Sequence, residues 1–139
     1  MDPAEIIQPG MSLETTFVVE TQHSAAHIGS GSLRVLATPV MISFMESTSH
    51  RLLAQHLPQG YSSVGVLVNV RHLAPTPLGS TVRVRSEVQA LEGSRVIFRL
   101  QAWDSTELVG EGEHQRMVID EARFLRRVAA KSAALADAG

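Results

Sequence analysis

Two periods divide the chain. The stretch Leu13–Glu20 (LETTFVVE) predicts a first strand, and the polar, glycine-rich stretch Thr21–Arg34 predicts a mobile loop. Thr38 and Pro39 then mark a helix start, a capping hydroxyl followed by proline at the first helical position. From Val40 to Leu57 the spacing of Met41, Met45, Thr48 and Leu52, with Phe44 and Leu53 beside them, suits a helix. Its first half is apolar on nearly every side, which predicts a helix buried by its surroundings. Pro58, Gln59 and Gly60 end it.

Beyond Gly60 the period is two. Val64, Val66, Val68 and Val70 alternate with Gly65, Leu67, Asn69 and Arg71, and Pro75, Pro77 and Gly79 punctuate a turn. Val82, Val84 and Val88 then oppose Arg83, Arg85 and Glu87, and Glu92-Gly93-Ser94 predicts a hairpin turn. Val96, Phe98, Leu100 and Ala102 alternate next. Asp104–Glu107 turns the chain into a last strand, Leu108–Ile119, and a basic, alanine-rich helix starts near Glu121.

The order is strand, long loop, one buried helix, four long antiparallel strands and a short C-terminal helix. This is an α+β arrangement, a long antiparallel sheet wrapped around one central helix, known as the hot-dog fold. One sheet and one helix leave an open edge and a large apolar face, so a homodimer is expected.

At 139 residues the chain reads as a single domain, 1–139. Hydrophobic residues make up 44% and charged residues 19%, which excludes a disordered chain. The formal charge of −2 argues against a nucleic-acid partner held by a strong positive field. A local basic patch stays open, since 11 of the 12 basic residues are arginine, suited to planar contact with phosphate or carboxylate. The absence of cysteine excludes disulfides, thiolate metal sites and a cysteine nucleophile. The start, MDPAEIIQPG, has no signal-peptide pattern, and the most apolar run, Val35–Met45, is too short to span a bilayer. A cytoplasmic location and no membrane partner are the expectation.

Three polar residues stand where the pattern calls for something else. Glu46 lies in the apolar half of the central helix, where a carboxylate is costly unless it is bonded or faces a pocket; it is equally a carboxylate pointing into a solvated gap. His72 continues the inward face of Val66, Val68 and Val70, as a general base or as a core histidine bonded to backbone. Thr38 serves as the N-cap, and a helix N-terminus also welcomes an oxyanion.

The stretches VLATPVMISFMESTSHRLLAQHL (Val35–Leu57) and SSVGVLVNVRHLAPTPLGSTVRV (Ser62–Val84) resemble the fluoroacetyl-CoA thioesterase family of hot-dog proteins. The resemblance rests on A-T-x-x-M at Ala37–Met41, M-E at Met45-Glu46 and V-x-H-x-A-x-x-P-x-G at Val70–Gly79. It also rests on Gly65, seven residues before His72, and on G-x-H-x-R with His114 and Arg116. It implies hydrolysis of a small acyl-CoA thioester to free acid and CoA, with Thr38, Glu46 and His72 as the catalytic group. By the same resemblance His72 is a base for water or for deacylation. Glu46 is nucleophile or base, and Thr38 orients a partner or binds substrate. Gly65 leaves room for the acyl group and offers a backbone N–H to the oxyanion. No cofactor is implied beyond the CoA of the substrate.

Eight residues of continuous helix put Thr38 and Glu46 about 12 Å apart along its axis, so either the helix starts later or the site is completed across a dimer, and the dimer is the expectation. The family's phenylalanines before the A-T motif are replaced by Gly29, Ser30, Gly31, Ser32 and Leu33, which points to a different or broader acyl group. Arg34, Arg71 and Arg116 are the candidate cations for the CoA phosphates. Arg123, Arg126 and Arg127 read as a solvated helix face, and so do His50 and Arg51. Tyr61 and Trp103 read as packing residues, and His23, His27, His50 and His56 lack metal-ligand spacing. Two other functions remain open: a non-catalytic hot-dog module binding acyl-CoA or a related small ligand, and a hydroxyacyl-thioester dehydratase, whose usual motif is missing.

Overall fold

In the computed structural model, which describes residues 1–138, five antiparallel strands form one sheet in the order β1-β3-β4-β5-β2. They are β1 (Ser12–Val18), β2 (Tyr61–His72), β3 (Thr81–Glu92), β4 (Arg95–Trp103) and β5 (Leu108–Asp120). A short helix α1 (Ala25–Ile28) precedes the central helix α2 (Thr38–Ala54), and α3 (Glu121–Ala138) continues directly from β5. The α+β hot-dog arrangement is the one expected from the order of periods.

Alternation predicts the sheet's inner face well. Val82, Val84, Ser86 and Val88 of β3 and Val96, Phe98, Leu100 and Ala102 of β4 are all buried. The β3–β4 hairpin turns at Gly93, whose φ of 61° suits a residue without a Cβ. Met41, Phe44, Met45, Thr48, Ser49, Leu52 and Leu53 form the buried stripe of α2, at the spacing of one helical face. Phe44 stacks on Phe17 with centroids 4.2 Å apart. The Ser49 and Ser86 hydroxyls satisfy each other at 2.7 Å.

Four local expectations change. Thr38 is the first helical residue and Ala37 holds the cap position, so the Thr38 hydroxyl is not used as an N-cap. The helix ends at Ala54, three residues before Leu57. Its other side, with Ser43 exposed and Ile42, Glu46 and Ser47 half-buried, is open within one chain rather than enclosed all round. Thr21–Arg34 is not a plain loop: it holds a 3-10 turn at Thr21–His23 and α1. Its arms are clipped by bonds from Ala25 N–H to Val35 O and from Ala37 N–H to His23 O, both 2.9 Å.

One irregularity matters most. The β2–β5 register shifts between Gly65 and Leu67, a β-bulge at Val66. Gly65 and His72 are seven residues apart, an odd spacing that strict alternation would send to opposite faces. The extra residue restores both to the face that α2 covers. Val66 is thus the bulge residue, and the inward face runs Gly65, Val68, Val70, His72. As the outermost strand, β2 exposes Val66, Leu67 and Val68 at 49%, 39% and 39%, an apolar edge with unpaired backbone groups.

Candidate active site

Thr38 and His72 are brought together by three loops that meet at one end of the sheet. Leu36 N–H donates to Thr76 O at 2.9 Å and Leu73 N–H to Val109 O at 2.7 Å. These bonds hold the start of α2 against the end of β2. Gly110, paired with His72, lets the helix settle: a Cβ there would lie 2.5 Å from Met41 Sδ. Thr38 Oγ1 then lies 2.7 Å from His72 Nδ1. Burial holds the imidazole below its ordinary pKa, so it is neutral at neutral pH. Its Nε2 is buried with no hydrogen-bond partner. The pair opens onto a cavity of about 310 Å3 lined also by Ala25, Ser30, Val35 and Leu73.

A second cluster forms around Glu46, two turns further along α2. Arg116 Nη1 lies 3.9 Å from Glu46 Oε2. Arg116 Nε donates to Ser63 Oγ at 2.8 Å and Nη2 to Ser63 O at 3.0 Å. Nη1 also lies 3.2 Å from His114 Nε2, and His114 Nδ1 lies 2.8 Å from Leu67 O. A guanidinium only donates, so His114 Nε2 accepts and the proton resides on Nδ1, bonded to the Leu67 carbonyl. Burial is the main reason that both His114 and Arg116 have lowered pKa values, with Glu46 pulling each partly back. Gly65 faces this cluster, where a Cβ would sit 3.0 Å from Glu46 Oε2 and 3.4 Å from His114 Cε1.

The expected site residues therefore fall into two groups. Thr38 joins His72, and Glu46 joins Gly65 and Arg116. Helix α2 is continuous between Thr38 and Glu46, so about 12 Å of axis separates the groups within one chain. Arg116 does not stand at a solvent mouth: it is 7% exposed, its donors committed to Ser63, His114 and Glu46. Arg71 lines a groove on the opposite face of the sheet with Arg99, Glu111 and Glu113. Arg34, His50 and Arg51 are exposed.

Sequence reasoning missed Ser63 and Gly110. A serine at an inward strand position was the available signal for Ser63, whereas nothing in the pattern set Gly110 apart from the other strand glycines. Among the described residues, no group of three metal-ligating side chains converges, and no helix is long and apolar enough to cross a membrane.

Comparison with known proteins agrees with this fold. The family model for fluoroacetyl-CoA-specific thioesterase matches residues 19–122. The fluoroacetyl-CoA thioesterase of Streptantibioticus cattleyicolor is 38% identical over 100 residues, 72% of each chain. A solved structure of a fluoroacetyl-CoA thioesterase superposes with a TM-score of 0.83 at 32% identity, covering 90% of this chain and 97% of that one. A hot-dog-like protein from Thermanaerovibrio acidaminovorans gives 0.87 at 27% identity, over 94% and 97%. With hot-dog topology, a Thr38–His72 pair and a facing Glu46–Gly65 cluster in place, this chain belongs to the fluoroacetyl-CoA-specific thioesterase family.

Proposed function

We propose that the chain hydrolyses a short acyl-CoA thioester to free acid and CoA, without a cofactor, in a homodimer whose two half-sites meet across β2. The observation that carries this reading is the Thr38 Oγ1–His72 Nδ1 contact of 2.7 Å, a hydroxyl beside a neutral imidazole. Such a pair is a nucleophile with its base.

The steps balance with these groups alone. Thr38 Oγ attacks the thioester carbonyl while His72 Nδ1 takes the hydroxyl proton. The tetrahedral intermediate expels the CoA thiolate, which recovers that proton from His72. Water then attacks the acyl-threonine with His72 again as base, releasing the acid and restoring the hydroxyl. The bulge beside Gly65 interrupts the ladder, and that freedom suits its backbone N–H to an oxyanion.

The dimer reading has its own support. An apolar, unpaired β2 edge invites antiparallel pairing with a second copy. An axis through Asn69 pairs Val68 with Val70 of the partner subunit and, with Val66 as the bulge residue, sets Gly65 opposite His72 of the partner subunit, with Gly65 and His72 on the helix face. Glu46 of the partner subunit then faces the unpartnered His72 Nε2–H and accepts a hydrogen bond from it, completing a Thr–His–Glu triad. Zero cysteines leave carboxylate, imidazole and hydroxyl as the working groups.

Gly29–Leu33 brings no aromatic residue over the cavity. The substrate is therefore proposed to be an acyl group broader than fluoroacetyl. A thiol-release assay over a panel of short acyl-CoA esters tests the reading with wild type, His72→Ala and Glu46→Ala. Thiol release above background from one or more esters, abolished or sharply reduced in both variants, is expected. No release from any ester would leave a binding module instead, and variants matching wild type would refute the site.

A further inference from the structure

Arg123 and Arg127 are one turn apart on α3, and with Phe124 they line a cavity of about 430 Å3. Its other walls include Tyr61 at the start of β2, Ser94 in the β3–β4 turn and Asp120 at the end of β5. Asp120 Oδ1 accepts from Arg123 N–H at 3.1 Å, which holds that carboxylate against the start of the helix. Neither guanidinium forms an ion pair among the described residues. Two cations against one carboxylate leave the cavity positive, and the hydroxyls of Tyr61 and Ser94 add neutral donors.

The cavity lies within reach of the thioester. Gly65 pairs with Arg116 and Tyr61 with Asp120, so four residues of β2 separate them. At about 3.3 Å per residue that is about 13 Å, a length an extended pantetheine arm spans. Of the other candidate cations, Arg116 is enclosed, Arg71 points to the far face of the sheet, and Arg34 is exposed in the loop beside the Thr38–His72 cavity, at the thioester end rather than the nucleotide end. Because Gly65 sits opposite the partner subunit's His72 in the proposed dimer, this cavity flanks the site formed across the edge.

We propose that Arg123 and Arg127 bind the phosphates of CoA, anchoring its nucleotide end while the thioester lies at the Thr38–His72 pair of the adjoining subunit. This rests on the thioesterase reading and deepens it, giving a nucleotide-phosphate subsite to side chains that otherwise form an ordinary solvated face. Arginine forks suit phosphate oxygens, and charge-assisted bonds in a walled cavity are stronger than those on an open surface.

The test replaces both residues, Arg123→Glu with Arg127→Glu. For the acyl-CoA turned over fastest, KM is expected to rise about tenfold with kcat little changed, and the Kd of CoA, measured by calorimetry, to rise in parallel. The N-acetylcysteamine thioester of the same acid lacks phosphates, so its kcat/KM stays at the wild-type value. Arg126→Glu, off the cavity, leaves both substrates unaffected. An unchanged Kd for CoA in the double variant, or equal losses on the two thioesters, overturns the assignment. If wild type hydrolyses neither thioester while the arginine pair still governs the Kd of CoA, the thioesterase reading fails and the phosphate subsite stands.

Discussion

The two polar clusters along α2 differ in how completely they are satisfied. Around Arg116, each nitrogen has a partner, and His114 is bonded at both ring nitrogens. Around His72 there is one hydrogen bond and one buried nitrogen with none. A buried polar atom without a partner is costly, and in the proposed dimer the partner subunit's Glu46 satisfies this one. The Arg116 cluster instead behaves as a built wall, holding Glu46 and the backbone near Gly65 in one arrangement. In the proposed mechanism the working imidazole is thus the one with fewer bonds.

Substitutions in the two clusters should behave differently. His72→Ala removes the proposed base and is expected to lower kcat by about 10^3–10^4-fold with the melting temperature little changed. Thr38→Ala should cost about as much, and the double variant little more than either alone, because the pair acts as a unit. A double variant with multiplied losses would separate the two residues.

Arg116→Ala should do the reverse, acting first on stability. It strips a buried charge network, leaving Ser63 O and His114 Nε2 unpaired, and should cost about 2–4 kcal/mol in urea denaturation. A loss below about 0.5 kcal/mol would mean that the wall is not structural.

Gly65→Ala is a milder probe placed between the clusters. The new methyl would meet Glu46 Oε2 at 3.0 Å, forcing the carboxylate aside by a few tenths of an ångström. About a tenfold fall in kcat/KM with near-native stability is expected, since small misplacements cost catalysis more than folding. Wild-type kinetics in this variant would remove Gly65 and Glu46 from the substrate's surroundings.

The smallest effect is on pH. His72 and His114 are both held below their ordinary pKa by burial, so as pH falls the unfolded chain takes up their protons first. The stability they contribute is fully present above about pH 6.5 and is lost as pH falls from there through the folded-state values. The melting temperature should be level near pH 7 and decline toward pH 5. Neutral His72 is the proposed active form, so kcat/KM should fall as acid protonates the imidazole, and Glu46→Gln, which removes the facing carboxylate and leaves burial to act alone, should move that acid limb to lower pH. An acid limb unmoved in Glu46→Gln would remove Glu46 from the surroundings of His72.

Legibility differed between fold and site for a physical reason. Val82, Val84, Val96, Phe98 and Leu100 announced their faces because a half-buried strand must alternate. The motif residues Thr38, Glu46 and His72 were picked out by their surroundings, and helix length already separated Thr38 from Glu46, yet the pairing of Thr38 with His72 and of Glu46 with Arg116 was not visible. Thr38 read as a cap because a hydroxyl ahead of proline usually is one, whereas here Ala37 takes that position and the hydroxyl meets His72. Arg116 read as a candidate for the CoA phosphates because alternation along β5 does not reveal that Glu46 and Ser63 converge on it. Arg123 and Arg127 read as solvated for the same reason, since the cavity walls opposite them come from β2 and the β3–β4 turn.

By itself the sequence determined the order of strands and helix, the core faces and the family, since period and local motif are properties of neighbouring residues. Only the tertiary structure decided that Gly65 and His72 share a face, because a bulge is set by pairing between strands and not by the spacing within one. It likewise decided that Thr38 pairs with His72 while Glu46 pairs with Arg116. Those contacts join residues 34 and 70 positions apart, and only a packed helix on a sheet selects among such pairs.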